Sequence, residues 1–252
     1  MESLQTPLPK FGCVCSPLVD GDFVYIQAGA GLCKLDKQTG KIVWRAMTDA
    51  GGMMGSAFSS PTIAEIGGVR QLVVQTRARL AGVNLNDGEQ IWSREIEAFR
   101  GMNILTPTIV NNEVFTSTYG GGSFLFKVDG SEVSDRWRNK VQGYMSSPVV
   151  VDGHAYLHLR NQRFACINLE TGKEAWITKP YGKYWSMIAQ GKRILALDER
   201  GDLLLINANP ENFELVGQVK VSEESAWAHL AITGREIFVR DLKGLTSFTW
   251  KD

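Results

Sequence analysis

The sequence has no long apolar run, no sustained helical periodicity and no surplus of charge of either sign. Each shortage removes a class of protein. Lys+Arg and Asp+Glu both number 27, so the formal net charge is zero. A nucleic-acid binder needs a basic footprint to neutralise phosphates, and none is present. No stretch approaches the ~20 apolar residues of a membrane helix. Residues 1–10 lack a charged n-region followed by an apolar h-region, so they do not read as a signal peptide. A cytoplasmic protein, and a fragment or mature form of an exported one, both fit that start. Cysteine is sparse: Cys13, Cys15, Cys33 and Cys166. There is no C-x-x-C pair and no Cys/His spacing of the zinc-finger kind. Cys13 and Cys15 would share a face if their segment were a strand. The preferred reading of all four is as small buried hydrophobes, ahead of a redox or metal role.

What is abundant is repetition. Ser16-Pro17, Ser60-Pro61, Thr106-Pro107 and Ser147-Pro148 open four copies of one unit. Met187 and Leu230 stand at the proline position of two further copies. The period of about 40 residues is that of a propeller blade. The fourth copy is the plainest. Residues 148–151 read as a strand and Asp152-Gly153 as a tight hairpin turn, because glycine accepts positive φ. Residues 155–160 and 164–169 form two more strands. Glu170-Thr171-Gly172-Lys173 turns the chain into a short fourth strand carrying Trp176. Four antiparallel strands per unit make a blade. The expected fold is therefore an all-β propeller, read as one domain over residues 1–252. Its blades fall near 13–48, 56–97, 102–141, 143–179, 182–221 and 224–252. The last copy stops after three strands, and few strand-compatible residues precede Ser16 to complete it. The expectation is that N-terminal blades of a larger ring are missing from this sequence.

A Trp recurs at the end of the unit, at positions 44, 92, 137 and 176. Recurrence at one place in every blade points to inter-blade packing rather than ligand stacking. The segments Leu35-Asp36-Lys37-Gln38-Thr39-Gly40-Lys41-Ile42-Val43-Trp44 and Ile167-Asn168-Leu169-Glu170-Thr171-Gly172-Lys173-Glu174-Ala175-Trp176 resemble the tryptophan-docking motif of PQQ-like β-propeller repeats. The resemblance runs over residues 13–250. That superfamily includes quinoprotein dehydrogenases and the propeller lipoprotein of the outer-membrane β-barrel assembly machine. It implies a propeller and a periplasmic or cell-envelope setting. Quinoprotein members carry a disulfide of adjacent cysteines, a calcium site and a catalytic Asp. Cys13-Val14-Cys15 is not an adjacent pair and no calcium-ligand pattern stands out, so no catalytic residue carries over.

Function is sought on loops, since a repeat only displays them. In a propeller, the loops leading into the innermost strand and those between strands two and three share one face. They supply Arg77, Arg79, Tyr119, Tyr144, Arg160, Asn161, Tyr184, Trp185, Glu199, Trp227, His229 and Arg240. This mixture suits a carbohydrate, an anionic small molecule or a peptide, and the expected partner is a protein or carbohydrate ligand. Tyr144, Tyr184, Trp185 and Trp227 depart from the repeat, so blade architecture does not demand them. His229 replaces the Ser or Thr of the other openings, but no nucleophile elbow supports a hydrolase pair with Ser186. His158 reads as a core histidine. The sequence therefore leans away from an enzyme, with no cofactor, no metal, no nucleic acid and no membrane span. The expected job is binding or scaffolding. The alternative is a PQQ- and calcium-dependent oxidoreductase acting on an alcohol or sugar.

Overall fold

A computed structural model describes residues 6, 9, 11–49 and 57–250. The chain is an all-β propeller whose described residues form six blades, five four-stranded and the last three-stranded. Among the described residues there is no α-helix, and one 3-10 turn occurs at Phe99–Gly101. The chain divides into two compact units, residues 1–142 and 143–252.

The first unit holds three sheets, each a meander of neighbouring antiparallel strands. They comprise β1 Leu18–Asp20, β2 Phe23–Gln27, β3 Leu32–Asp36 and β4 Ile42–Ala46; β5 Thr62–Ile66, β6 Val69–Gln75, β7 Arg79–Val83 and β8 Gln90–Glu95; and β9 Thr108–Val110, β10 Glu113–Thr118, β11 Gly122–Asp129 and β12 Glu132–Asn139. The second unit holds β13 Val149–Val151, β14 His154–His158, β15 Phe164–Asn168 and β16 Glu174–Ile177; β17 Ser186–Gln190, β18 Arg193–Leu197, β19 Asp202–Asn207 and β20 Glu214–Lys220; and β21 Ala231–Thr233, β22 Glu236–Arg240 and β23 Leu245–Thr249.

The turn before the fourth strand has one chemistry in two of the sheets. Asp36 Oδ1 accepts from the backbone N–H groups of Gln38 and Thr39 and from the Thr39 hydroxyl. Asn168 Oδ1 accepts from the Thr171 backbone and hydroxyl in the same way. These side-chain bonds replace ladder bonds while the chain reverses. Gly40 and Gly172 close the turns, both at φ +69°. All five complete sheets then shift register at the same place between their third and fourth strands. Trp44, Trp92, Trp137 and Trp176 pair immediately beside that bulge. A bulge re-aims a side chain, and here it turns the indoles of Trp44, Trp92 and Trp176 toward the next sheet of their own unit.

Apolar clusters between successive sheets form the cores of each unit. Trp44 packs with Leu72, Val74, Ala81 and Val83 of the second sheet, and Trp92 with Val114, Phe124, Phe126 and Val128 of the third. Trp176 lies against the cluster of Phe164, Trp185, Ile194 and Leu204 between the fourth and fifth sheets. Two indoles also dock by hydrogen bond: Trp44 Nε1 donates to Leu85 O at 3.3 Å and Trp176 Nε1 to Asn209 O at 2.9 Å. Leu85 O additionally receives Lys34 Nζ at 2.8 Å and Tyr25 Oη at 3.4 Å. Gly88, at φ +80°, forms the platform under Trp44, since a Cβ there would lie 2.8 Å from the ring. The glycine of this turn is thus set by docking as well as by dihedral angle. Trp92 differs: its Nε1 donates to Gln71 Oε1 of its own sheet at 2.6 Å.

In the fifth sheet Gly217 occupies the tryptophan place beside the bulge. Nothing lies within 4 Å of a Cβ added there. Leu215, Val216 and Val219 on the same strand are exposed.

Two openings hold their neighbours as expected of a hydroxyl series. The Ser16 N–H donates to Ser60 Oγ at 2.9 Å, and the Leu230 N–H to Ser186 Oγ at 3.2 Å. Residues 12–17 form no strand, which corrects the shared-face reading of Cys13 and Cys15. Cys15 is buried against Gln27 O while Cys13 is exposed, and all four thiols are free. The small-hydrophobe reading therefore fits Cys15, Cys33 and Cys166 but not Cys13.

Candidate functional site

In the second unit the loop following β16 and the segments leading into β13, β17 and β21 bring three aromatic rings together. Tyr144 and Tyr184 meet edge-on with centroids 5.9 Å apart. Tyr184 and Trp227 follow at 5.1 Å. Lys183 Nζ stands 4.8 Å from the Tyr184 ring and 3.1 Å from Glu199 Oε2. Glu199 is itself buried, and its recorded partner here is Lys183. Trp227 is 52% exposed and Met145 beside Tyr144 is exposed as well. Tyr184 adopts φ +51°, a left-handed conformation that a bulky residue rarely takes. Such strain persists only where surrounding contacts over-determine it, and it gathers at functional sites.

The loop that presents Tyr184 is anchored from below. Asp198 is 3% exposed. Its carboxylate accepts the Lys183 N–H at 3.0 Å and the Arg200 N–H. Desolvation raises the Asp198 pKa, and these two backbone bonds oppose the rise. Gly182, at φ +67°, has no room for a side chain, because a Cβ would fall 2.0 Å from Trp185 Nε1.

Trp185 itself is not part of the exposed patch. It is 1% exposed, stacked on His158 at 4.8 Å and against Phe164 at 4.8 Å. The sequence placed it among the ligand-contacting aromatics; the structure places it in the core, because the residue preceding Ser186 turns inward as β17 begins. His158 is likewise buried, with Nε2 3.0 Å from Tyr181 O. Burial pushes its pKa down to about 4.

The remaining residues of the second unit lie at loop ends. Arg160 and Asn161 are exposed between β14 and β15, and Asn161 Oδ1 accepts the Arg163 N–H at 3.3 Å. Arg240 is exposed at the end of β22. His229 keeps exposed surface, and desolvation of its ring by the surrounding protein lowers its pKa. Ser186 is nearly buried with its hydroxyl engaged by the Leu230 N–H. No hydrogen bond joins His229 to Ser186 among the described residues, so this pair is not set up as base and nucleophile.

The first unit carries Arg77, Arg79 and Tyr119. Tyr119 meets Phe99 edge-on at 5.3 Å, and Arg100 lies 5.1 Å over the Phe99 ring. Arg79 is exposed, 3.8 Å from Glu95. Arg77 lines an open cleft of ≈ 490 Å³. Phe99, Arg100 and Lys183 were absent from the residues selected by sequence. Their signal was present, since each sits in a loop already singled out and each is within cation–π reach of an aromatic.

A quinone-and-calcium centre calls for a vicinal disulfide and a cluster of carboxylate ligands. The cysteines here are separate free thiols. Among the described residues no group of three or more His, Cys, Asp or Glu is placed to hold a metal ion. The described residues do not fit that group.

A family model described as outer membrane protein assembly factor BamB matches residues 4–178. The BamB of Shewanella oneidensis is 26% identical over 160 residues, covering 61% of this chain and 36% of that protein. The crystal structure of BamB from Moraxella catarrhalis superposes with a TM-score of 0.75 at 16% identity, covering 94% of this chain and 72% of that one. A quinohemoprotein alcohol dehydrogenase from Comamonas testosteroni superposes with a TM-score of 0.62 at 15% identity, over 86% of this chain and 44% of that one. The last two likenesses concern the fold alone. The chain spans 36% to 54% of the length of the curated relatives it matches.

Proposed function

The chain belongs to the family of the outer membrane protein assembly factor BamB, and from that premise we propose that it is a non-catalytic propeller of the cell envelope. Its loops present Tyr144, Tyr184 and Trp227, flanked by Arg160, Asn161, His229 and Arg240, to a protein partner engaged in outer-membrane protein assembly. Arg77, Arg79 and Tyr119 offer a second set of contacts from the other unit. The observation that supports this most is Trp227. It is half-exposed, packed at a tilt against a strained tyrosine, and not required by the repeat. Buried aromatic and Arg anchors carry most of the energy of protein interfaces. Among the described residues no helix is long and apolar enough to cross a membrane.

The test is binding of the purified chain to the isolated soluble domains of the outer-membrane assembly machinery. Combined Trp227→Ala and Arg160→Ala substitution is expected to weaken the complex at least a hundredfold, with the unfolding midpoint unchanged. Undiminished binding by that variant would remove this face from the account.

A further inference from the structure

The turn between β18 and β19, residues 198–201, is bonded to both arms of the aromatic face. The first arm is the loop into β17. Its Lys183 N–H is held by the Asp198 carboxylate, the Glu199 N–H donates to Lys183 O at 2.9 Å, and the Lys183 ammonium pairs with Glu199. Lys183 directly precedes Tyr184, whose left-handed backbone persists only if its surroundings enforce it. The second arm is the segment into β21. Its Ala226 N–H donates to Glu199 O at 2.8 Å, and its Val221 and Ser222 N–H groups donate to Gly201 O at 2.9 and 3.3 Å. Ala226 is buried and directly precedes Trp227. Tyr184 and Trp227 are thus each presented by a residue bonded to the backbone of Glu199.

Asp198 sets the shape of that turn. Its backbone N–H donates to Asp202 O and its carbonyl accepts the Gly201 N–H, both at 2.9 Å. Its carboxylate also accepts the Arg200 N–H, a bond from a side chain to the backbone two residues on that closes a turn locally. No ion pair joins Asp198 to a cation among the described residues. Its buried carboxylate is instead committed to backbone donors on two segments, the first arm and the turn. Burying a carboxylate is costly unless it is hydrogen-bonded, so plain packing does not account for an acid at this place. Gly201, at φ +84°, shows how closely the turn meets the second arm, since a Cβ there would fall 2.1 Å from Ser222 O.

We propose that Asp198 is a positioning residue for the aromatic face. Through the β18–β19 turn it holds the Tyr184 and Trp227 arms as one unit, so that loosening the first arm releases the second. The inference rests on the reading of this face as the binding surface.

The test uses the full chain labelled with 5-fluorotryptophan, the Trp227 fluorine line being the one lost in Trp227→Phe. Asp198→Asn keeps the volume but puts an NH2 group where one carboxylate oxygen stood, so one of the two backbone donors loses its acceptor. In this variant the Trp227 line is expected to move toward its position in the unfolded chain. The Trp44 and Trp92 lines are expected to stay in place, which general destabilisation would not predict. Partner binding is expected to weaken at least tenfold. In the wild-type chain the amides of Lys183, Glu199 and Ala226 are expected to share one level of protection against hydrogen exchange, as members of one opening unit do. An unmoved Trp227 line in Asp198→Asn, or Lys183 and Ala226 amides protected to degrees differing more than tenfold, would each overturn the proposal. The exchange measurement decides the matter even if the variant folds poorly. Neither spectroscopic readout needs a partner. Undiminished binding by the Trp227 variant would therefore remove the binding reading and leave these two results as they are, so the two readings fail separately.

Discussion

Trp185→Ala is expected to unfold at a much lower urea concentration than the wild-type chain, with about 3–5 kcal/mol of stability lost. Trp227→Ala is expected to change stability by less than about 1 kcal/mol. The two tryptophans lead into successive sheets, yet one is 1% exposed and the other 52%. Trp185 contacts His158, Phe164 and Tyr181 and belongs to the cluster that joins the fourth and fifth sheets. Truncation there removes a large apolar surface and leaves a cavity walled by rigid rings, which relax little. Among the described residues Trp227 leans on the Tyr184 ring, and about half of its surface meets solvent. Urea unfolding of the two variants checks the division directly. A wild-type midpoint for Trp185→Ala would return that residue to the surface patch.

Acidification is expected to weaken the fold through His158. In the folded chain burial lowers its pKa from 6.5 to about 4. The unfolded chain therefore takes up a proton at His158 as pH falls through 6.5, while the folded chain resists until about pH 4. Stability contributed by the neutral imidazole is complete above pH 6.5 and is lost progressively down to about pH 4. A displacement of that size corresponds to about 3 kcal/mol. His158→Gln keeps a donor for Tyr181 O and removes the titration. The stability difference between wild type and this variant is expected to shrink by about 3 kcal/mol from pH 7 to pH 4, measured by urea unfolding at each pH. A difference that stays flat over that range would show that the imidazole titrates alike in both states.

The blade repeat was legible because its determinants are local. Asp36 and Asn168 bond backbone groups two or three residues away, and Gly40 and Gly172 supply the positive φ of the turn they close. Such signals lie in a window of ten residues. Trp44 and Trp176 were legible as packing residues by recurrence, although their acceptors, Leu85 O and Asn209 O, lie in the next sheet. What sequence could not supply was side-chain direction outside the strands. Trp185 and Trp227 follow similar loops, but Gly182 and Asp198 shape the loop around Trp185 and fold it inward. The role of Gly217 was hidden for the opposite reason. A residue missing from a repeat is visible only when the bulge beside it identifies the place it should fill.

The central claim, that the aromatic loop face of the second unit engages the outer-membrane assembly machinery, is tested most directly by a photo-reactive amino acid placed at position 227 in intact cells. The account predicts a covalent adduct to a component of that machinery from position 227. It predicts none from position 216, on the exposed edge strand β20. Adducts of equal yield from both positions, or no adduct to the machinery from position 227, would contradict it.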